Sequence, residues 1–226
     1  MAYGVEFSNN SDIVTLDSEF SRLSVISKGR YVPTQESGLG SVTSFERPIT
    51  TQEPPLIFLK PDTVGVIAGL CRSYPIGSAG NWTGFYVRAY DANTAQPNGR
   101  YFAAAFQASP VASYGFRTWD SSGKLIFDSG TPCANFTKSY QNWTYRGSTS
   151  IGTGLTRVAF SVPFDFSTQD YMLINNFGMN AGGSSLRSAF LYCWWDFPGN
   201  TLWCITIGAT NQNTMYIPAV FARMQV

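Results

Sequence analysis

The sequence predicts an all-β protein: a β-sandwich or jelly-roll-like domain preceded by an N-terminal β-meander and an extended arm. Three observations carry that expectation. Apolar and polar residues alternate in short runs, with little of the three-to-four-residue spacing a helix needs. Turn-forming Asn, Asp, Ser, Gly and Pro recur about every 8–12 residues, the rhythm of a sandwich or barrel. Aromatics make up 15% of the chain and charged residues only 13%, whereas an average soluble domain is roughly a quarter charged. Large flat side chains among small polar ones suit short pleated strands joined by many turns.

In chain order, Tyr3–Phe7, Ile13–Leu16 and Leu23–Ile26 read as a meander broken at Asn9-Asn10 and Ser18-Glu19. Residues 28–55 hold Gly29, Gly38, Gly40, Pro33, Pro48, Pro54 and Pro55, which predicts an irregular connector arm. The chain is therefore divided into residues 1–55, meander and arm for assembly, and 56–226, the sandwich. In the second part, strands are expected at Leu56–Lys60 and Val64–Leu70 around Pro61-Asp62, and at Phe85–Tyr90 and Tyr101–Gln107 around a polar loop. Tyr114–Trp119 and Lys124–Phe127 flank Asp120-Ser121-Ser122-Gly123, a strong turn signal. Residues 129–154 read as a long irregular stretch of the kind that packs on partner subunits. Arg157–Val162, Tyr171–Asn175, Ser188–Trp195, Leu202–Ile207 and Met215–Arg223 complete the strands, and the apolar chain end is expected to dock on a sheet.

The most legible element is the hairpin around Pro198-Gly199, residues suited to the centre of a type II turn. That turn pairs Trp194 with Trp203, Tyr192 with Ile205 and Phe190 with Ile207 on one face. The other face then carries Cys193 beside Cys204 and Trp195 beside Leu202. Both faces are apolar, so the hairpin is expected to be buried in a sandwich or between subunits. The four cysteines, with Cys71 and Cys133 the others, have no CxxC spacing, and the chain has no histidine. That excludes a Ser-His-Asp or Cys-His nucleophile system and any His-ligated metal. Free buried thiols are the expectation for a cytosolic product.

One internal repeat stands out. Residues 2–18, AYGVEFSNNSDIVTLDS, align with 113–129, SYGFRTWDSSGKLIFDS. Tyr3-Gly4 matches Tyr114-Gly115 and Asp17-Ser18 matches Asp128-Ser129, each pair bracketing two short strands and a polar turn. The pattern resembles a signature of small tailed-bacteriophage proteins associated with the tail tip or tail fibre. It covers residues 3–18 and 114–129, and beyond these the likeness is one of character only. The resemblance implies a structural virion component of a tail tip, baseplate or fibre, oligomeric and expected as a trimer around the tail axis. Its implied partners are other tail proteins, the central fibre or baseplate hub; its implied place is the virion tail, after assembly in the host cytoplasm.

Composition narrows the chemistry. The net charge of +1, from 15 basic and 14 acidic residues, forms no basic stripe, so nucleic acid is not an expected partner. No apolar run approaches the roughly 20 residues that span a bilayer, and the first residues lack the basic and apolar regions of a signal peptide. A glycosidase needs only two carboxylates, which makes Asp165, Asp170 and Asp196, set among aromatics, the residues to weigh. Asp at strand ends usually serves local hydrogen bonding, so no catalytic residue, metal or cofactor is assigned. The alternative function is a receptor-binding module for a host glycan or pilus. Its candidate residues are Trp82 with Asn81, and Trp143 with Asn142, read as loop aromatics beside hydrogen-bonding neighbours. Covering a core edge or a subunit interface is the commoner role of such a Trp.

Overall fold

The structure, a computed structural model, describes residues 7–8, 10, 14–16, 21–89, 94–178, 180–182, 188–208 and 213–225. In chain order the strands are β1 (Phe7–Ser8), β2 (Val14–Leu16), β3 (Leu23–Tyr31), β4 (Gly40–Ile49), β5 (Leu56–Pro61) and β6 (Ile67–Ser78). They continue with β7 (Asn81–Ala89), β8 (Gly99–Phe106), β9 (Arg117–Trp119), β10 (Leu125–Asp128), β11 (Cys133–Tyr140) and β12 (Thr144–Gly152). The last are β13 (Leu155–Pro163), β14 (Tyr171–Leu173), β15 (Asn180–Gly182), β16 (Ser188–Asp196), β17 (Thr201–Gly208) and β18 (Ala219–Gln225). The protein is all-β, built of antiparallel sheets.

Two sheets make the body. One runs β12-β13-β17-β16-β6-β7-β4, with β15 added against β16. The other, β11-β18-β14-β5-β8-β3, curls until it closes on itself. The closing seam is slight: Cys133 pairs with Ser24, and Val25 N–H donates to the Pro132 carbonyl at 2.7 Å. Closure removes the two free edges that an open sheet would expose.

Side-chain alternation divides the apolar residues into two cores. Inside the closed sheet lie Leu23, Val25, Phe58, Phe102, Ala104, Tyr171 and Ala222, with Phe58 and Phe102 stacked at 4.6 Å. The opposite faces of the same strands carry Tyr31, Ile57, Leu59, Tyr101, Ala103, Met172 and Phe221. These pack against Phe85, Val87, Val158, Phe160, Leu191, Trp195 and Leu202 of the other sheet. Strands β5 and β8 are thus buried on both sides, as their near-continuous runs Leu-Ile-Phe-Leu and Tyr-Phe-Ala-Ala-Ala-Phe require.

Two stretches expected to be irregular are strands. Within residues 28–55, β3 pairs with β8 and β4 with β7, and Tyr31, Phe45 and Ile49 join the main core. The boundary at 55/56 therefore does not separate a connector arm from the sandwich. The glycines and prolines that signalled an arm have other roles: Pro33 sits in the connection after β3, and Pro48 lies beside the irregularity of edge strand β4. An edge strand tolerates the missing N–H. Likewise 129–154 contains β11 and β12, whose mostly exposed side chains lack the alternation that marks a strand in sequence. The hairpin of β16 and β17 has the expected pairs, Trp194 with Trp203, Cys193 with Cys204 and Trp195 with Leu202. Its turn differs from the expected type II. Phe197–Asn200 form the connection, and Asn200, not Gly199, takes the positive φ, at 48°.

Cys193 and Cys204 are free thiols in the main core, and burial pushes both well above the usual thiol range. They should resist alkylation in the native protein and react once denaturant opens the core, as peptide mass spectrometry would read.

Asp170 staples the curled sheet. Just before β14, its buried carboxylate receives Lys138 Nζ from β11 at 2.8 Å and Arg223 Nε from β18 at 2.6 Å. Thr137 Oγ1 adds a third bond at 3.1 Å. Burial alone would raise this carboxyl, but the bonds from Lys138 and Arg223 prevail and hold it at about 2, below an ordinary 3.8. A carboxyl lowered by folding stabilises above its unfolded value, and that stability disappears as pH falls towards the folded one. The expected loss between pH 5 and pH 2 is about 1–2 kcal/mol, since Arg223 is half exposed and screened. Urea melts across that range should show it, and Asp170→Asn should be less stable at pH 7 and flatter with pH.

Candidate functional site

Several strongly exposed apolar side chains lie on the β9–β10 hairpin and its approach, while others, such as Tyr216 and Val66, lie elsewhere. Tyr114 is 95% exposed, Phe106 65%, Val111 59% and Trp119 53%. What holds these side chains out is a polar lock at the hairpin base. Asp128, buried, accepts from Ala112 N–H at 3.1 Å, Gly130 N–H at 2.9 Å and Arg117 Nε at 2.6 Å. Ser129 Oγ accepts from Phe116 N–H at 3.0 Å. Gly115 has φ of 140°, and any Cβ there would collide with Ser129 Oγ. At the tip, Asp120 Oδ1 takes the N–H groups of Ser122 and Lys124, both at 2.9 Å, an Asx turn. Burial raises Asp128, yet the bonds from Arg117, Gly130 and Ala112 bring its carboxyl below the ordinary range.

This arrangement explains the spacing of Tyr-Gly and Asp-Ser in the repeat. Gly115 permits the strand to pass against Ser129, while Asp128 and Ser129 tie the two ends of the unit together. The first copy has the same pairing. Phe7 pairs with Leu16 and Ser8 with Val14 across an irregularity; the aligned Thr118 and Trp119 pair with Phe127 and Leu125 across another. Tyr3-Gly4 and Asp17-Ser18 of that first copy lie outside the described residues.

Between the hairpin and the rim of the curled sheet opens a cleft of about 800 Å³. Its walls include Leu23, Leu56, Ala104 and Phe106 of the sheet and Leu125 of the hairpin. Leu23 and Ala104 belong to the small core, so the cleft opens onto one end of it. On the hairpin's other side Arg22 stacks over Phe127 at 5.3 Å. A cleft with apolar walls and the exposed Phe106 among them, next to a hairpin with exposed aromatics, has features of a protein–protein contact.

The residues singled out for glycan binding lie elsewhere and do not come together. Trp82 begins β7, half-buried, packs on the main core and donates Nε1–H to the Thr51 carbonyl at 2.9 Å. Trp143, buried, donates to the Ile217 carbonyl at 2.7 Å. Asn81 and Asn142 are exposed beside them. Each indole closes a core edge, and Trp143 keeps no open ring face for a sugar. The three carboxylates weighed for hydrolysis also have local occupations. Asp165 accepts Ser167 N–H at 2.9 Å, Asp196 accepts Gly199 N–H at 2.9 Å, and Asp170 holds its two cations. Sequence reasoning noticed the Tyr-Gly repeat but not that its hairpin would be the exposed aromatic face. The turn signal at Asp120–Gly123 beside Trp119 was the available clue.

Removing the lock should loosen the hairpin alone. Asp128→Ala is expected to speed amide exchange at Ala112 and Gly130 by roughly tenfold or more, leaving β5 and β8 protected, as hydrogen exchange would resolve.

Comparison of the chain with family models, with curated proteins and with solved structures finds no match.

Proposed function

We propose that this protein is a structural component of a bacteriophage tail tip, baseplate or fibre, joined to its neighbours through the β9–β10 hairpin face. The observation that carries the reading is the exposure of Tyr114, Phe116 and Trp119 on a hairpin whose base Asp128 locks and whose Leu125 lines a cleft against the curled sheet. A solitary soluble chain has little reason to support such a face with a buried Asp–Arg pair. Large exposed apolar patches on a folded protein mark contact surfaces. Low charge favours the same role, because few ions need to lose water when surfaces join. The repeat's likeness to tail-tip proteins supplies the particular assembly.

The reading requires self-association or association with a tail partner. The purified chain should sediment as an oligomer, a trimer being expected, at micromolar concentration. Tyr114→Asp combined with Trp119→Asp should shift it to monomer with an unchanged circular dichroism spectrum. Either aromatic truncated to Ala is expected to weaken association by about 2 kcal/mol, roughly thirtyfold. Cryo-electron microscopy of the assembled virion should place the chain in the tail. A chain that stays monomeric and is absent from the particle would overturn the proposal.

A further inference from the structure

The outer face of the second sheet carries a second arrangement, on strands remote in sequence from the hairpin. Across four adjacent strands, Ser161 of β13, Trp203 of β17, Trp194 of β16 and Gly69 of β6 stand in one row. Their neighbours along the same strands, Cys193, Trp195, Leu202 and Cys204, point into the main core, so this row faces away from it. Both indoles are half-buried and line a groove of about 350 Å³.

Two features make the groove more than a packed surface. Gly69 leaves room for an indole lying along the sheet, since a Cβ there would come within 2.8 Å of Trp194 Cδ1. The two tryptophans thus form a low aromatic floor. Beside it, Arg146 is the extra residue of a β-bulge in β12, between the pairs Tyr145–Phe160 and Gly147–Ala159. A bulge re-aims its side chain, and Arg146 Nε reaches across to donate to Ser161 Oγ at 2.8 Å. That bond fixes the guanidinium by one nitrogen and leaves its two terminal nitrogens for another acceptor. Arg157, four residues from Ser161 on β13 and so about 13 Å along the strand, lines the same groove. Among the described residues neither arginine forms an ion pair, and no carboxylate lines the groove. Asp196 meets it only from the hairpin end, where Trp203 Nε1 donates to it at 3.4 Å.

The geometry points to a binding site for an acidic polysaccharide, one whose rings bear carboxylates as in a polyuronate. The apolar face of a sugar ring stacks on the indole floor. Carboxylates on separate rings meet Arg146 and Arg157, each able to take a carboxylate through paired N–H donors. Nucleic acid fits less well, because two arginines in a chain of net charge +1 make too small a basic footprint. The site is independent of the hairpin face, and either can fail alone.

Binding of the full-length chain to hexagalacturonate, read by tryptophan fluorescence and calorimetry, tests the assignment. Saturable binding is expected, at least about tenfold weaker for the fully methyl-esterified hexamer, which has the same rings without the charge. Arg146→Gln with Arg157→Gln should cost about tenfold or more with an unchanged melting temperature, and Trp203→Phe should abolish most of the fluorescence change. The assignment is overturned by any of four results: no saturable binding, equal binding of the neutral hexamer, a double arginine variant that binds like the parent, or stronger binding of a single-stranded oligonucleotide.

Discussion

The rest of the structure depends on two strands that are buried on both sides. In β8, Phe102 and Ala104 fill the inside of the curled sheet while Tyr101, Ala103 and Ala105 face the opposing sheet. β5 does the same with Phe58 on one side and Ile57 and Leu59 on the other. A one-residue slip of either strand would exchange the two sets, and in β8 it would place an alanine where Phe102 fills space. The three alanines of β8 are buried as well, Ala104 inside the curled sheet and Ala103 and Ala105 in the main core. Phe85 meets Tyr101 edge-on at 4.9 Å, and Tyr171 meets Phe102 at 5.1 Å. Register and packing are therefore one constraint, and both cores depend on it.

That constraint explains why polar staples occur where they do. The curled sheet is only narrowly closed, between β3 and β11, and β14 contributes just three residues. A short strand makes few ladder bonds, so Asp170 supplements them by tying β14 to β11 and β18 through two cations. Lys138 adds contact with the aromatic group, its ammonium 4.7 Å from the ring centre of Phe164. The Asp128 lock works on the same principle at the hairpin, where strands of three and four residues could not hold an aromatic face by backbone pairing alone. In both places a buried carboxylate with a cationic partner does locally what hydrophobic burial does in the large sheets. Such a pair is strongly destabilised when one partner is removed, which concentrates the stability of each region in one residue.

Much of the architecture was legible in the sequence because it is written in local alternation. The strands from Leu56 to Trp119, the hairpin of Trp194 and Trp203 with its two faces, and the Tyr-Gly repeat follow in outline from side-chain period and turn chemistry, although β6 runs on to Ser78 past the expected Leu70 and β7 begins at Asn81. What escaped follows from physics the sequence does not display locally. β4, β11 and β12 lie at an edge or a seam, where one or both faces meet solvent and no alternation is required. The prolines and glycines of residues 28–55 signal interruption equally well at a connection or a bulge. For the candidate sites, polar neighbours around Trp82 and Trp143 looked like ligand partners. Yet an indole N–H beside a chain irregularity also satisfies a backbone carbonyl, as both do here.

The same reasoning explains how the outer groove was hidden although its residues were paired correctly. Trp194 opposite Trp203 was evident from hairpin register, and an apolar second face implied burial against something. The sequence could not reveal that β6 would bring a glycine under one indole, or that a bulge some fifteen residues before Ser161 would turn an arginine towards it. Both facts are cross-strand, and both depend on which strands the two cores make neighbours. On this outward face, aromatic at its floor and cationic at its sides, neither arginine forms an ion pair among the described residues. Arg146 is exposed and Arg157 half-buried, so both guanidiniums stay open to an incoming anion beside the indole floor. An acidic ligand of the kind proposed would engage both cations and the aromatic floor at once.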